Sequence, residues 1–168
     1  MNFKTYYEAI LNEPKYNIYL DMDGVICNFG GAIKKVGVTV DLLNNDADKA
    51  WELIDGAGEE FWSDMDWMPD GKLLWNYIKK YKPTILSAPS RNPQSKTGKR
   101  KWIDKELGKD VSSIFVQKQD KQKYAAPYSI LIDDHKKNIS QWEEAGGIGI
   151  LHSFNSEHTI KALKELGL

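Results

Sequence analysis

Short apolar runs alternate with longer amphipathic segments along most of this chain. Five runs have the length and composition of buried β-strands: 17–21, 83–87, 114–117, 129–133 and 148–151. The segments between them carry apolar residues at helical spacing. Strands that alternate with helices predict an α/β fold, with a mainly parallel sheet between two layers of helices.

Three of the intervening helices have recognisable ends. Asp70 can cap a helix that follows it, and Ser156 is placed to begin a C-terminal helix. A helix through Trp142 is predicted to stop at Gly146 and Gly147, because glycine favours the turn that ends a helix.

The stretch between the first and second strands is much longer than a crossover between parallel strands requires, which is roughly a dozen residues. Its pattern is mainly helical from about Gly31 to Met68. We therefore predict a core domain made of 1–30 and 69–168, with a small helical unit of residues 31–68 inserted after the first strand.

The first strand runs into the sequence Asp21-Met22-Asp23-Gly24, which places two carboxylates at a glycine turn. A hard cation such as Mg²⁺ would relieve their repulsion, leaving one as a nucleophile and the other to exchange protons. An EF-hand calcium loop would need glycine and glutamate where this chain has Ile26 and Ala32, so that alternative fails. An acidic turn without chemistry remains an alternative for this motif taken alone.

Other predicted strands carry residues that suit the same chemistry. Asp133 and Asp134 end one apolar run, Ser87 ends another, and Lys121 precedes the Asp133 strand. Because ligands of open parallel sheets bind outside the carboxyl ends of the strands, these groups are expected to face one crevice. An all-oxygen set of side chains favours Mg²⁺ over zinc.

The charge balance and the cysteine content limit the partners and the compartment that we expect for this chain. The chain has 23 basic and 24 acidic residues, so its net charge of −1 gives no broad attraction for nucleic acid or a membrane surface. Cys27 is the single cysteine, and neither a signal peptide nor a membrane span is apparent. We therefore expect a cytoplasmic protein without disulfides.

In this order along the chain, the motifs resemble those of the haloacid dehalogenase (HAD) superfamily of phosphohydrolases. Asp21-Met22-Asp23-Gly24-Val25 looks like motif I, Ser87 motif II, Lys121 motif III and Asp133-Asp134 motif IV. Within that superfamily the chain is most similar to the 5'(3')-deoxyribonucleotidases and their bacterial and phage relatives. That likeness rests on five segments: Phe29, Phe61–Asp64 with Pro69, Ser87–Pro89, Lys101–Ile103 and Leu131–Asp134.

The resemblance implies a magnesium-dependent phosphomonoester hydrolase with a HAD-like Rossmannoid α/β/α core and a small helical cap, the inserted unit 31–68. Asp21 would be the nucleophile and Asp23 the general acid and base. Ser87, Arg91 and Lys121 would bind the phosphoryl group, although Lys123 is an alternative for the motif III lysine. Arg91 stands where the nucleotidases usually have lysine, and Ala88 where they have serine. The magnesium ligands would be Asp21, Asp133, Asp134 and the main-chain carbonyl of Asp23.

The nucleotidase likeness makes a nucleoside monophosphate the expected substrate. Phe29, Phe61, Trp62 and Trp67 are candidates for a wall against which a base stacks, whereas ordinary packing of the cap on the core explains any one of them as well. A sugar phosphate or another small ester would satisfy the catalytic motifs equally.

Other functions remain as alternatives. One is a phosphatase for nucleic-acid ends, which the near-neutral charge disfavours although the basic run Lys96–Lys101 suits it. Another is a non-catalytic nucleotide-binding protein of the same fold. Dehalogenation is disfavoured because a halide leaves without the proton that Asp23 would supply. The sequence does not indicate an oligomeric state.

Overall fold

The computed structural model describes residues 16–168. The strands of this part of the chain are β1 (Asn17–Leu20), β2 (Thr84–Ser87), β3 (Ser113–Phe115), β4 (Ser129–Asp133) and β5 (Ile148–Leu151). Its α-helices are α1 (Phe29–Lys35), α2 (Val40–Asn45), α3 (Ala47–Gly56), α4 (Glu60–Ser63), α5 (Gly71–Ile78), α6 (Gln94–Glu106), α7 (Lys136–Glu144) and α8 (Ser156–Glu165).

The five strands form one parallel sheet in the order β3-β2-β1-β4-β5. β1 lies at the centre, where Leu20 pairs with Ile85 of β2 and Ile132 of β4. All five predicted strands are present, each within a few residues of its expected position. The carboxyl ends of β1, β2 and β4, which carry the candidate motifs, are therefore neighbours.

Apolar side chains cover both faces of this sheet, as expected of a parallel sheet between helices. Alternate residues of a strand point to opposite faces. Accordingly Ile130 and Ile132 of β4 belong to the larger buried cluster, whereas Leu131 packs with Ile139 and Trp142 of α7 in a second cluster. The predicted fold class, a three-layer α/β/α arrangement, is confirmed.

The ends of the helices differ from the sequence prediction at one point. Asp70 immediately precedes α5, but its side chain does not cap that helix. Its Oδ2 instead accepts a hydrogen bond from Ser156 N of α8 (2.6 Å), a contact between residues 86 positions apart. The α8 N-cap is Asn155, whose side chain accepts from His158 N. A tertiary contact has thus taken the carboxylate that local sequence assigned to α5.

The predicted inserted unit 31–68 is mainly helical, as its pattern predicts: it contains α2 to α4 and most of α1, which begins at Phe29. This unit packs closely against α6. A Cβ atom at Gly98 of α6 would lie 2.6 Å from both Glu59 O, just before α4, and Trp62 Cβ, within α4. The division into core and cap remains a prediction, and residues 1–15 of the predicted core lie outside the described residues. Within 16–168, no helix is both long and apolar enough to cross a membrane.

Candidate active site

A crevice of about 620 Å³ opens at the carboxyl ends of the strands. Its lining comes from the segments that follow all five strands and from helices of the insertion between β1 and β2. The lining residues with candidate chemical roles are Asp21, Asp23, Phe29, Trp62, Arg91, Lys121 and Asp134. This position is the one at which ligands of open α/β sheets bind.

Gly24 makes the turn that follows β1, with φ of +77° in the left-handed region that favours glycine. A Cβ atom at this position would lie only 2.2 Å from Asp134 Oδ2. The glycine therefore serves two purposes: it lets the backbone turn, and it leaves space for a carboxylate from the end of β4 to approach the loop after β1.

Three carboxylates gather at this turn. Oxygen atoms of Asp21, Asp133 and Asp134 all lie within 4.8 Å of one another. Burial, together with the charges of Asp21 and Asp133, raises the pKa of Asp134 to about 7. Like-charged oxygens held this close favour a bound cation, and hard oxygen donors suit Mg²⁺. The residues present therefore fit a magnesium ion.

Lys121 is the buried cation of this cluster, with 1% of its surface exposed. Its Nζ lies 2.9 Å from Asp21 Oδ2 and 2.7 Å from Asp133 Oδ2. Burial opposes the charge, but the two carboxylates outweigh it and raise the pKa of Lys121. Lys123, by contrast, is largely exposed and pairs with Asp120. The structure thus brings Lys121, and not Lys123, to Asp21.

The same contacts act on the predicted nucleophile. Burial raises the pKa of Asp21, but the ammonium groups of Lys121 and Lys99 outweigh it, so the pKa of Asp21 lies below its ordinary value. Its Oδ1 also accepts a hydrogen bond from Met22 N (2.8 Å). Asp21 is therefore held as an ionised carboxylate, the form that a nucleophile needs.

Asp133 and Asp134 differ in what their oxygens contact. Both Asp133 oxygens accept hydrogen bonds: Oδ1 from His135 N and the Asn138 amide, Oδ2 from the same amide and from Lys121. Among residues 16–168, no other residue donates a hydrogen bond to the Asp134 carboxylate. Asp134 is thus the more available to a cation, and Asp133 orients Lys121.

Asp23 lies apart from the acidic cluster and contacts a residue that the sequence motifs did not single out. Lys99 Nζ of α6, which is fully buried, lies 2.6 Å from Asp23 Oδ2 and 3.1 Å from both Ser87 Oγ and Ala88 O. Asp23 Oδ1 is also buried and has no hydrogen-bond partner among the described residues. The side chain of Asp23 therefore has one oxygen paired with lysine and one oxygen left for a substrate or water.

The two other predicted phosphate ligands, Ser87 and Arg91, differ in their relation to the crevice. Ser87 is fully buried, is not among the described residues that line the crevice, and its hydroxyl contacts Lys99. Its hydroxyl accepts a hydrogen bond from Lys99 Nζ, so a direct contact of Ser87 with phosphate stays a prediction. Arg91 does line the crevice, but it is exposed and lies 3.6 Å from Asp48 of α3.

The predicted aromatic wall is also rearranged. Trp62 borders the crevice but is only 2% exposed, because Phe29 stacks on it and Lys99 lies over its ring. Phe61 packs edge-on against the rings of Phe29 and Trp62 and is not among the residues that line the crevice. For Phe61 and Trp62, packing of the insertion on the core describes the contacts better than an open stacking face does.

Trp67 lies at a different place altogether. It lines a second cavity, of about 780 Å³, beside residues that precede β2 and β3, at the opposite edge of the sheet from the acidic cluster. Two other aromatic residues line the crevice instead: Trp51 of α3 and Phe154 of the loop after β5. No motif marked them, since an aromatic residue in an amphipathic helix or a loop carries no local signal of its position.

Similarity to solved structures supports the fold. No protein-family model matches the chain, and no curated protein matches it by sequence. Among solved structures, the chain is similar to a HAD-superfamily hydrolase from Ehrlichia chaffeensis, with a TM-score of 0.54 and 14% identity over 93% of this chain and 98% of that one. It is also similar to a hydrolase from Streptococcus pneumoniae TIGR4, with a TM-score of 0.54 and 12% identity over 90% and 100%. At this level of identity the shared property is the HAD-like fold.

Proposed function

We propose that the protein is a magnesium-dependent phosphomonoester hydrolase that acts through a phosphoaspartate on Asp21, with a nucleoside monophosphate, preferably a deoxyribonucleotide, as its substrate. One observation carries the catalytic part of this proposal: the buried Asp21 lines the crevice, contacts Lys121 and has two further carboxylates within 4.8 Å. The motif order supports the same chemistry on the same fold.

Magnesium would be held by Asp21 and Asp134, with Asp133 beside them and the Asp23 carbonyl as the resemblance suggests. When bound, the ion would neutralise charge on the nucleophile and on the phosphoryl oxygens. Burial, and then repulsion from Asp21 and Asp133, raise the pKa of Asp134 to about 7, and a cation would relieve the repulsion.

The chain's own residues would divide the remaining work. Asp21 attacks phosphorus, forms the phosphoaspartate and expels the leaving alkoxide. Lys121, which lines the crevice, would stabilise negative charge on the phosphoryl oxygens, whereas the fully buried Lys99 would hold Asp23 in place. Asp23 would protonate the leaving alkoxide and then take a proton from the water that attacks phosphorus, breaks the Asp21–phosphorus bond and releases inorganic phosphate; its unpartnered Oδ1 is available for both steps.

The crevice supports a substrate larger than a simple phosphate ester. Its volume of about 620 Å³ lies within the range of small-molecule sites, and Phe29, Trp51 and Phe154 give it aromatic lining. The net charge of −1 gives no broad attraction for a long polyanion. A mononucleotide satisfies both the size and the charge.

The test is a phosphate-release screen with Mg²⁺ over deoxyribonucleoside and ribonucleoside monophosphates, sugar phosphates and 5'-phosphorylated oligonucleotides. We expect nucleoside monophosphates to have the highest kcat/KM. Sugar phosphates cleaved faster than every nucleotide would contradict the nucleotidase assignment and leave the phosphatase chemistry in place.

Two results of the same screen would favour the alternatives. Preference for oligonucleotide ends, with activity that falls steeply with salt, would indicate a nucleic-acid phosphatase. Nucleotide binding without release of phosphate from any ester, including para-nitrophenyl phosphate, would indicate a non-catalytic binding protein.

A further inference from the structure

Phe154 combines three properties that do not occur together at any other described residue. It is 65% exposed, its backbone lies in the left-handed region with φ of +53°, and its side chain lines the crevice of the candidate site. The left-handed region is unfavourable for a bulky side chain, so the surrounding structure must impose this conformation. Such outliers cluster where a side chain has to be held in a particular place.

The loop that carries Phe154 is fixed on both sides. Before it, His152 N donates a hydrogen bond to Asp133 O (2.9 Å), which joins the loop to the strand of the acidic cluster. After it, the Asn155 side chain caps α8, and Ser156 N donates to Asp70 Oδ2 (2.6 Å). Phe154 is therefore held at the crevice by anchors on neighbouring residues.

Exposure of a single apolar side chain is ordinary in itself. Phe154 differs, however, from the other exposed large apolar side chains of residues 16–168, because none of those lines the crevice. They are Val40, Leu73, Tyr128 and Leu151. Tyr128 is especially useful, since it is also aromatic, 53% exposed and in the left-handed region with φ of +65°.

We propose that Phe154 forms an apolar wall for the leaving group of the substrate, and that preferred substrates carry a flat ring system there. Trp51, which lines the same crevice from α3, and the amide side chains of Gln117 and Gln119 complete a surface suited to a ring with polar edges. This inference rests on the proposed phosphohydrolase function. Phe154 takes the role of principal stacking surface that the sequence suggested for Trp62, whose ring is covered.

The test compares Phe154→Gly with Tyr128→Gly. Glycine relieves the left-handed backbone at both positions and removes an exposed aromatic ring at both, but only one of the two rings lines the crevice. The kcat and KM of each variant are measured for a deoxyribonucleoside monophosphate and for an aliphatic phosphate ester, glycerol phosphate. Thermal unfolding of each variant confirms that it is folded.

We expect Phe154→Gly to lower kcat/KM for the nucleotide by about 5- to 150-fold, mainly through KM, because one stacked base contributes on that scale. The loss for glycerol phosphate should be much smaller, and Tyr128→Gly should match the unaltered protein on both esters. Equal losses on the two esters, or no loss on the nucleotide, would overturn the proposal.

Failure of the proposed hydrolase function can be distinguished from failure of the Phe154 proposal. If the unaltered protein releases phosphate from neither ester, the hydrolase assignment fails, and the wall is judged by calorimetric binding of the nucleotide and of inorganic phosphate with Mg²⁺. Tighter binding of the nucleotide that is lost only in Phe154→Gly would support the wall. Equal binding of the two ligands by all three proteins would overturn it.

Discussion

At the scale of single residues, two buried lysines divide the candidate site between them. Lys121 contacts the acidic cluster through Asp21 and Asp133, whereas Lys99 contacts Asp23 and the end of β2. A lysine is rarely buried without a charged partner, because removing an ammonium from water is costly. Both lysines are therefore placed for a specific anion, and each can be tested against an exposed neighbour.

Lys99→Gln should lower kcat by about 100-fold or more, because it removes the buried positive charge that pairs with Asp23, the proposed general acid and base. The matched control is Lys96→Gln, an exposed lysine of the same helix, which should change kcat less than about twofold. Comparable losses in both variants would show that the net charge of α6 matters rather than the contact with Asp23.

Lys121→Ala should likewise lower kcat by about 100-fold or more, while Lys123→Ala stays close to the unaltered protein. The reason is geometric, since Lys121 lies 2.9 Å from Asp21 and Lys123 pairs with Asp120 at the surface. Steady-state phosphate release measures both. The opposite ranking would assign the motif III role to Lys123.

Among the secondary-structure elements, the positions of the strands could be predicted from the sequence, whereas contacts between distant segments could not. The five strands were predictable because short apolar runs bounded by polar or turn-forming residues are typical of buried strands in a parallel sheet. Asp70 was misassigned because a local pattern cannot show that Ser156 will compete for its carboxylate. Lys99 and Phe154 were missed for a related reason: their positions depend on how α6 and the loop after β5 pack.

The contact between α4 and α6 is the element-scale feature that most directly supports the site. Gly98 allows it, since a Cβ atom there would lie 2.6 Å from Glu59 O and Trp62 Cβ. Gly98→Ala should therefore destabilise the protein by about 1–3 kcal/mol through overpacking, and lower activity by displacing Lys99.

Gly56→Ala is the control for that substitution. Gly56 ends α3, and a Cβ atom added there would have no heavy atom within 4 Å, so alanine should stabilise by about 0.4–1 kcal/mol. Urea denaturation of both variants gives the two free energies of unfolding. A Gly98→Ala protein as stable and active as the unaltered one would show that the two helices separate without consequence.

At the scale of the whole molecule, the acidic cluster links stability, pH and metal binding. Burial and two neighbouring carboxylates raise the pKa of Asp134 to about 7, whereas its ordinary value is 3.8. Between those two pH values the folded protein keeps a proton that the unfolded chain has lost. The metal-free protein should therefore lose stability as the pH rises through that window.

Magnesium should reverse this loss, because it binds the ionised cluster and must displace the proton at lower pH. The rise in Tm caused by Mg²⁺ should be larger near about pH 8 than near about pH 5.5, as measured by thermal unfolding. Asp134→Asn should make the metal-free protein more stable at the higher pH and remove most of the magnesium effect. A magnesium effect that is independent of pH would place the ion elsewhere.

Magnesium-dependent hydrolysis through a phosphoaspartate on Asp21 is tested most directly by the rate of phosphate release from a deoxyribonucleoside monophosphate. The rate is measured for the unaltered protein and for Asp21→Asn, each with Mg²⁺ and with a chelator. Asparagine keeps the size of the side chain and removes the nucleophile. We expect release that requires Mg²⁺ and falls about a thousandfold or more in Asp21→Asn, with folding retained by circular dichroism. Substantial magnesium-dependent release by Asp21→Asn would contradict the phosphoaspartate mechanism, and release that persists in the chelator would contradict the metal site.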